Sequence, residues 1–345
     1  MNIADVQSVH RILDELQSGS SGKFILYEPA PTGLGGQISG RIGGLLAGIA
    51  TNRGVIFLRT DDPPYAQSFE AMGVPTSIIP AHEINGVLAP DIAIGSLQAD
   101  DIVRLSPFRT SLRSHDVEAA LLANFQKVTG LVDVSRLEAE GAIRTWMRLT
   151  DHVKAEIGAK LNDLGIDRKT LGVHVRRGDK QVESAFLPLP VIQERVESLV
   201  RAGGFNSIFI ASDSEEVINT FRPPPGIALI VDRAEKRYNN ANHKMLFSRQ
   251  EMRDEETLTA ISNIDALSRC GGLVGQDNAH FAVIASGVIM ATCPDHHVYL
   301  FPGNYVEQKS ILVRLFFSTK RTCRAVIRMV APWATIRSRS RKALR

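Results

Sequence analysis

A short apolar run that ends in two adjacent arginines constrains this chain more than any other feature. Leu171–Val175 has the composition of a β-strand, and Gly172-Val-His-Val-Arg-Arg-Gly-Asp-Lys180 carries it straight into Arg176, Arg177, Asp179 and Lys180, with Glu183 just beyond. Open α/β sheets bind ligands at the carboxyl ends of their strands, and a guanidinium fork matches phosphate oxygens bidentately. Lys180 and Glu183 add a candidate base and the partner that keeps it ionised. Two arginines alone read most simply as a salt-bridged strand end. With His174, Asp179, Lys180 and Glu183 beside them, the segment reads as a site for a phosphorylated donor.

The surrounding pattern supplies the sheet this strand needs. Phe24–Tyr27, an apolar helix over 38–50 and Val55–Leu58 form a β-loop-α-β opening. A helical pattern runs from Leu137 to Leu164. Beyond it, strands at 171–175, 207–211, 227–231, 272–274, 288–291 and 298–301 are separated by helices at about 190–201, 215–221, 254–270 and 278–285. That alternation predicts an α/β fold with a parallel, doubly wound sheet. The expected architecture is two Rossmann-like domains facing a cleft: 1–166, 167–306 and then a tail over 307–345.

Other segments fall at matching places. Gly33-Leu-Gly35-Gly-Gln37 follows a strand and opens a helix, which suits either a tight turn or a backbone cradle for an anion. Asp213 in Ala211-Ser-Asp-Ser-Glu215 ends a strand; helix capping by Asp213 or Ser212 is the simpler reading, donor binding the other. Asp265 stands within an apolar helix, so it needs a partner, a structural arginine or a nucleotide amine. Asp61-Asp62 runs into Pro63-Pro64 and reads as a solvated turn, so no metal site is expected.

Composition narrows the setting. Cys270, Cys293 and Cys323 form no CxxC pair and no even-numbered framework, which points to a reducing compartment. Neither a secretory signal nor an apolar run of membrane-spanning length is visible, so a cytoplasmic protein is expected. The formal net charge of +3 hides an asymmetry. After Glu307 there are eleven bases and no acids; setting those apart from the chain's 40 leaves 29 bases against 37 acids. Within that tail Arg314, Arg321, Arg324 and Arg328 recur at helical spacing among Leu315, Phe316, Val326 and Ile327. This fits an amphipathic helix on an anionic membrane surface, peripheral to the inner face of the plasma membrane, or a helix docked on the body. The aromatics there suit burial better than base stacking, so no nucleic-acid partner is expected.

Taken in order, these segments resemble the α1,6-fucosyltransferase family. Val173-His-Val-Arg-Arg-Gly-Asp-Lys180 with Glu183-Ser-Ala-Phe186 is similar to the family's HVRRTDK segment and its downstream E-A-A-F, one residue shorter between lysine and glutamate. Gly33–Gln37, Tyr65, Ile208–Ser214 and Ile264–Ser268 extend the resemblance over roughly residues 30–290. It implies a GT-B glycosyltransferase that is metal-independent, inverts at the anomeric carbon and takes GDP-fucose as donor, with no cofactor. By position, Arg176 binds the β-phosphate and Arg177 supports it; His174 and Asp265 read the guanine; Tyr65 lines the nucleotide pocket; Glu183 is the general base, with Lys180 beside it. Asp213 matches the first aspartate of the family's TDD. The family's F-S-S is replaced by Asp277-Asn278-Ala279, where Asn278 is left to donate the serine's hydrogen bond. With no SH3-like domain and no luminal anchor, a bacterial oligosaccharide or glycolipid acceptor is expected. Another GDP-sugar donor, or a silent nucleotide-sugar binding module, are the alternatives.

Overall fold

A computed structural model of the chain describes residues 1–28, 32–58, 65–74, 102–105, 115–177, 186–237 and 249–303. Lys180, Glu183, Asp61, Asp62 and the basic tail lie outside these residues. Met1–Gly303 is one compact unit containing two parallel sheets. In the first, β1 (Phe24–Tyr27) runs between β2 (Gly54–Phe57) and β3 (Ile102–Leu105), with Phe24 opposite both Gly54 and Ile102. The second contains β4 (Thr170–Val175), β5 (Ser207–Ser212), β6 (Ala228–Ile230), β7 (Gly272–Gln276) and β8 (His297–Phe301), in the order β6-β5-β4-β7-β8.

That order places the site. The chain winds outward from β4 through β5 to β6, then returns to the other side of β4 with β7 and β8. Its direction therefore reverses between β4 and β7, the point at which doubly wound sheets open a crevice at their carboxyl ends. β4 and β7 are buried almost throughout, as parallel strands covered on both faces are. All six residues of β5 are buried.

The helices are α1 (Ile3–Gln17), α2 (Leu34–Thr51), α3 (Ala66–Met72), α4 (His115–Thr129), α5 (Arg136–Trp146), α6 (Asp151–Asp163), α7 (Leu189–Gly203), α8 (Glu215–Thr220), α9 (Gln250–Arg269) and α10 (His280–Thr292). None of the described helices is long and apolar enough to cross a membrane. Two expectations are corrected. The helical pattern from Leu137 to Leu164 is two helices, because Met147 is extended and the Thr150 amide donates to the Met72 carbonyl at 3.0 Å. The strand expected at Val288–Ala291 is the end of α10. Val288 and Ile289 favour strands in isolation, but Ala282, Ile284, Ala285, Ile289 and Ala291 are all buried, and packing overrides that preference.

The two halves are tied by α5, which precedes β4 in sequence but packs against α10. At their crossing a side chain on Gly141 would collide with the Gly287 carbonyl, and a Cβ on Gly287 would lie 2.6 Å from the Leu137 carbonyl oxygen. The opposing atoms are backbone and cannot turn aside, so Gly141→Ala should destabilise the fold by at least about 2 kcal/mol through overpacking, measured by denaturant unfolding. A control on α6, Gly158→Ala, whose Cβ meets nothing within 4 Å, should be neutral or stabilising.

Candidate active site

Arg177 leaves the end of β4 held from several directions. Its backbone N–H donates to Asp213 Oδ1 at 2.7 Å, and Nη2 donates to the Leu187 carbonyl at 2.8 Å. The guanidinium carbon stands 4.9 Å from the Phe186 ring centroid, a cation–π distance. Nη1, by contrast, is buried with no hydrogen-bond partner among the described residues. Burial lowers the Arg177 pKa, against the charges of Asp213 and then Glu216. A buried donor left unpaired costs roughly 1–3 kcal/mol, and an anionic oxygen placed there would remove that cost.

Asp213 is therefore not the cap of α8. Ser214 is, accepting from the Val217 amide at 3.4 Å, while Ser212 Oγ accepts from the Ser214 amide at 3.2 Å. With capping done by the serines, the Asp213 carboxylate joins the end of β5 to the arginine motif on β4. Arg237 braces the same edge: Nε donates to the Ser212 carbonyl at 3.1 Å and Nη2 to the Asp232 carbonyl at 2.9 Å.

His174 points to the opposite face of β4. Its ring is tilted against Phe281 at a centroid distance of 5.8 Å, and Nδ1 is buried without a partner among the described residues. Burial first, and the charge of Arg176 second, push its pKa down to about 3. The imidazole is neutral and can accept or donate according to tautomer. Arg176, half-buried, is the residue between the two.

The glycine loop meets this face from the first sheet. Gly33 is the N-cap of α2, and a Cβ there would meet nothing within 4 Å. Gly35 differs: a Cβ would stand 2.8 Å from the Phe281 ring and 2.9 Å from His280 Cβ. Gly35 is thus required by the close packing of α2 on α10, where Nδ1 of His280 also bonds Ser39 Oγ at 3.0 Å. Tyr65, the buried N-cap of α3, has its pKa pushed up to about 12, by burial and then by Glu256, with Arg253 opposing. Asn278 donates to the Gly303 carbonyl at 3.2 Å and Asp277 accepts the Gly303 N–H at 2.5 Å. The expected serine replacement is therefore engaged with the end of the described chain.

Asp265 on α9 answers the pairing question left by the sequence. Its Oδ1 lies 2.6 Å from Nη2 of Arg144, on α5. The sequence singles out neither Arg144 nor Phe281, and Phe186 only as the last residue of the Glu183–Phe186 motif. Arg144 carried no signal of its own, being one cation on a helix that also bears Arg136, Glu138 and Glu140.

No protein-family model and no curated protein sequence matches the chain. Among solved structures it is similar to NodZ α1,6-fucosyltransferase soaked with GDP-fucose, at 15% identity and TM-score 0.43, covering 77% of this chain and 92% of that one. NodZ from Bradyrhizobium gives the same identity and TM-score over 76% and 92%. POFUT1 in complex with GDP-fucose is similar at 12% identity and TM-score 0.44, over 82% and 99%. Likeness this distant leaves the chemistry to the chain's own residues.

The buried imidazole has a thermodynamic signature. Its folded pKa lies below the unfolded value near 6.5, so the unfolded chain binds the proton more readily. His174 should therefore make stability fall as pH drops from about 6.5 towards 3, at up to about 1.4 kcal/mol per unit. His174→Gln should flatten that slope in chemical unfolding across the same window.

Proposed function

We propose that this chain is an inverting, metal-independent glycosyltransferase that moves fucose from GDP-fucose to a hydroxyl of a glycan acceptor, a bacterial oligosaccharide or a lipid-linked glycan. The observation that carries the reading is the buried Nη1 of Arg177, unsatisfied among the described residues, at the switch point of a doubly wound sheet. A diphosphate is the anion whose charge and size suit two adjacent guanidinium groups there. The motif around it, from His174 to Phe186, supports the identity of the donor.

In this mechanism the acceptor oxygen attacks the anomeric carbon from the face opposite the diphosphate. The bond from that carbon to the β-phosphate oxygen breaks and its electron pair leaves with GDP. The Glu183 carboxylate takes the acceptor proton, with Lys180 beside it as the cation that favours the ionised form. Arg176 and Arg177 meet negative charge as it develops on the leaving group, the interaction that lowers a barrier rather than merely binding substrate. General base catalysis of this kind contributes about 10²- to 10⁴-fold. A silent nucleotide-sugar binder is favoured by one observation, the engagement of Asp277 and Asn278 with Gly303; turnover separates the two readings.

Transfer assays with GDP-fucose and a panel of acceptors, read by mass spectrometry, should give product with the wild type. Arg176→Ala should abolish transfer and weaken GDP binding. Glu183→Gln should bind GDP normally and lose about 10²-fold or more in turnover; full turnover by that variant removes Glu183 as the base. The tail belongs to the same proposal, as a basic surface for anionic lipid. Full-length protein should float with anionic vesicles and a form ending at Gly303 should not; equal flotation of the two rejects membrane attachment.

A further inference from the structure

A second tie joins the two halves, at the carboxyl edges of both sheets. α3 follows β2 and so begins at the carboxyl edge of the first sheet, whereas α9 leads into β7 and so begins at the carboxyl edge of the second. Between them Ser68, fully buried on α3, donates from Oγ to Asp254 Oδ1 at 2.5 Å. Gln250, one turn earlier on α9, closes the triangle: Nε2 donates to Asp254 Oδ1 at 2.7 Å and to Ser68 Oγ at 3.1 Å. Which way that amide points is settled by Arg253, whose Nε and Nη2 both donate to Gln250 Oε1, at 3.2 and 2.6 Å. With the oxygen taken by a guanidinium fork, the NH2 group is left for Ser68 and Asp254.

α3 has seven residues, too few to hold a helix in water unaided, so its outside contacts set where it lies. The Met72 carbonyl fixes its far end through the Thr150 amide, and the Ser68 clasp fixes the near one. Tyr65 opens this helix three residues before Ser68, on the same face. Its hydroxyl feels Glu256 and Arg253 of α9, so phenol and serine face the same helix. We propose that Ser68, Asp254 and Gln250 are positioning residues for the donor: their clasp holds Tyr65 where its hydroxyl meets the nucleotide. This rests on the GDP-sugar reading above and on the place in the nucleotide pocket that the family resemblance implies for Tyr65. A clasp that only joined the halves would contribute to stability and leave nucleotide affinity alone. One that acts through Tyr65 makes the effects of the two positions non-additive.

Calorimetric titration of the full chain with GDP tests this, beside denaturant unfolding of each variant. Ser68→Ala should weaken GDP binding about tenfold, the loss of one buried hydrogen bond to a charged group. Asp254→Ala should do the same, and Asp254→Asn, which keeps an acceptor for the Ser68 hydroxyl, should restore most of the affinity. Tyr65→Phe keeps the ring and removes the hydroxyl. It should weaken GDP binding by a similar factor, and adding Ser68→Ala to it should cost less than about twofold more. Unchanged GDP affinity of Ser68→Ala or of Tyr65→Phe overturns the proposal, as does a Ser68→Ala loss of equal size in both backgrounds. If Ser68→Ala does not fold, Gln250→Met, at a half-buried position, takes its place in the same cycle with the same expected result. Wild type that fails to bind GDP sinks the GDP-sugar reading and this proposal with it, whereas wild type that binds GDP beside additive variants sinks only the role given to the clasp.

Discussion

Two helix backbones touch where Gly141 meets Gly287, and what joins the N-terminal sheet to the C-terminal one is organised around that contact. α5 precedes β4 in the chain, yet it packs on α10, which follows β7. A side chain at either glycine would separate the helices. The approach carries Arg144 to within bonding distance of Asp265 on α9, and places the helix that bears His280 and Phe281 against the glycine loop of α2. A division between the sheets near Asp167 follows the strands, but the helices interlock across it.

The arginine motif depends on this frame in a second way. A guanidinium group held rigidly at the carboxyl edge of a sheet needs its backbone fixed as well as its side chain. Asp213 fixes the amide of Arg177, and Phe186 and the Leu187 carbonyl fix the fork. Three separate segments converge, the ends of β4 and β5 and the stretch before α7. The outcome is a cation whose remaining nitrogen is already desolvated, so an arriving anion meets a donor that has little water to displace.

Much of the parallel sheet was legible because buried strands are written as continuous apolar runs bounded by turns. β4 and β5 are of that kind, and each exceeds the span read from the sequence by one residue, Thr170 and Ser212. α10 was misread at its C-terminal end because β-branched residues in a helix buried nearly all round look like a strand; no polar face marks the period. The break at Met147–Thr150 was invisible for another reason, since it is set by docking on Met72, distant in sequence. Among site residues, His174, Arg176, Arg177 and Asp213 were marked by their place at strand ends, and the structure brings them to one edge. Gly35 was marked as a ligand-facing glycine, whereas its missing side chain makes room for Phe281. Arg144 was passed over because a single arginine on a helix has no signature until its partner is seen 121 residues away.

The clasp between Asp277, Asn278 and Gly303 shows how a departure from a motif acquires its own grammar. Here an acid and an amide grip the two sides of the Gly303 peptide, and a Cβ at 303 would stand 2.6 Å from Asn278. The three positions are thus spelled together: with Asp277 and Asn278 gripping its peptide, residue 303 has room for glycine alone.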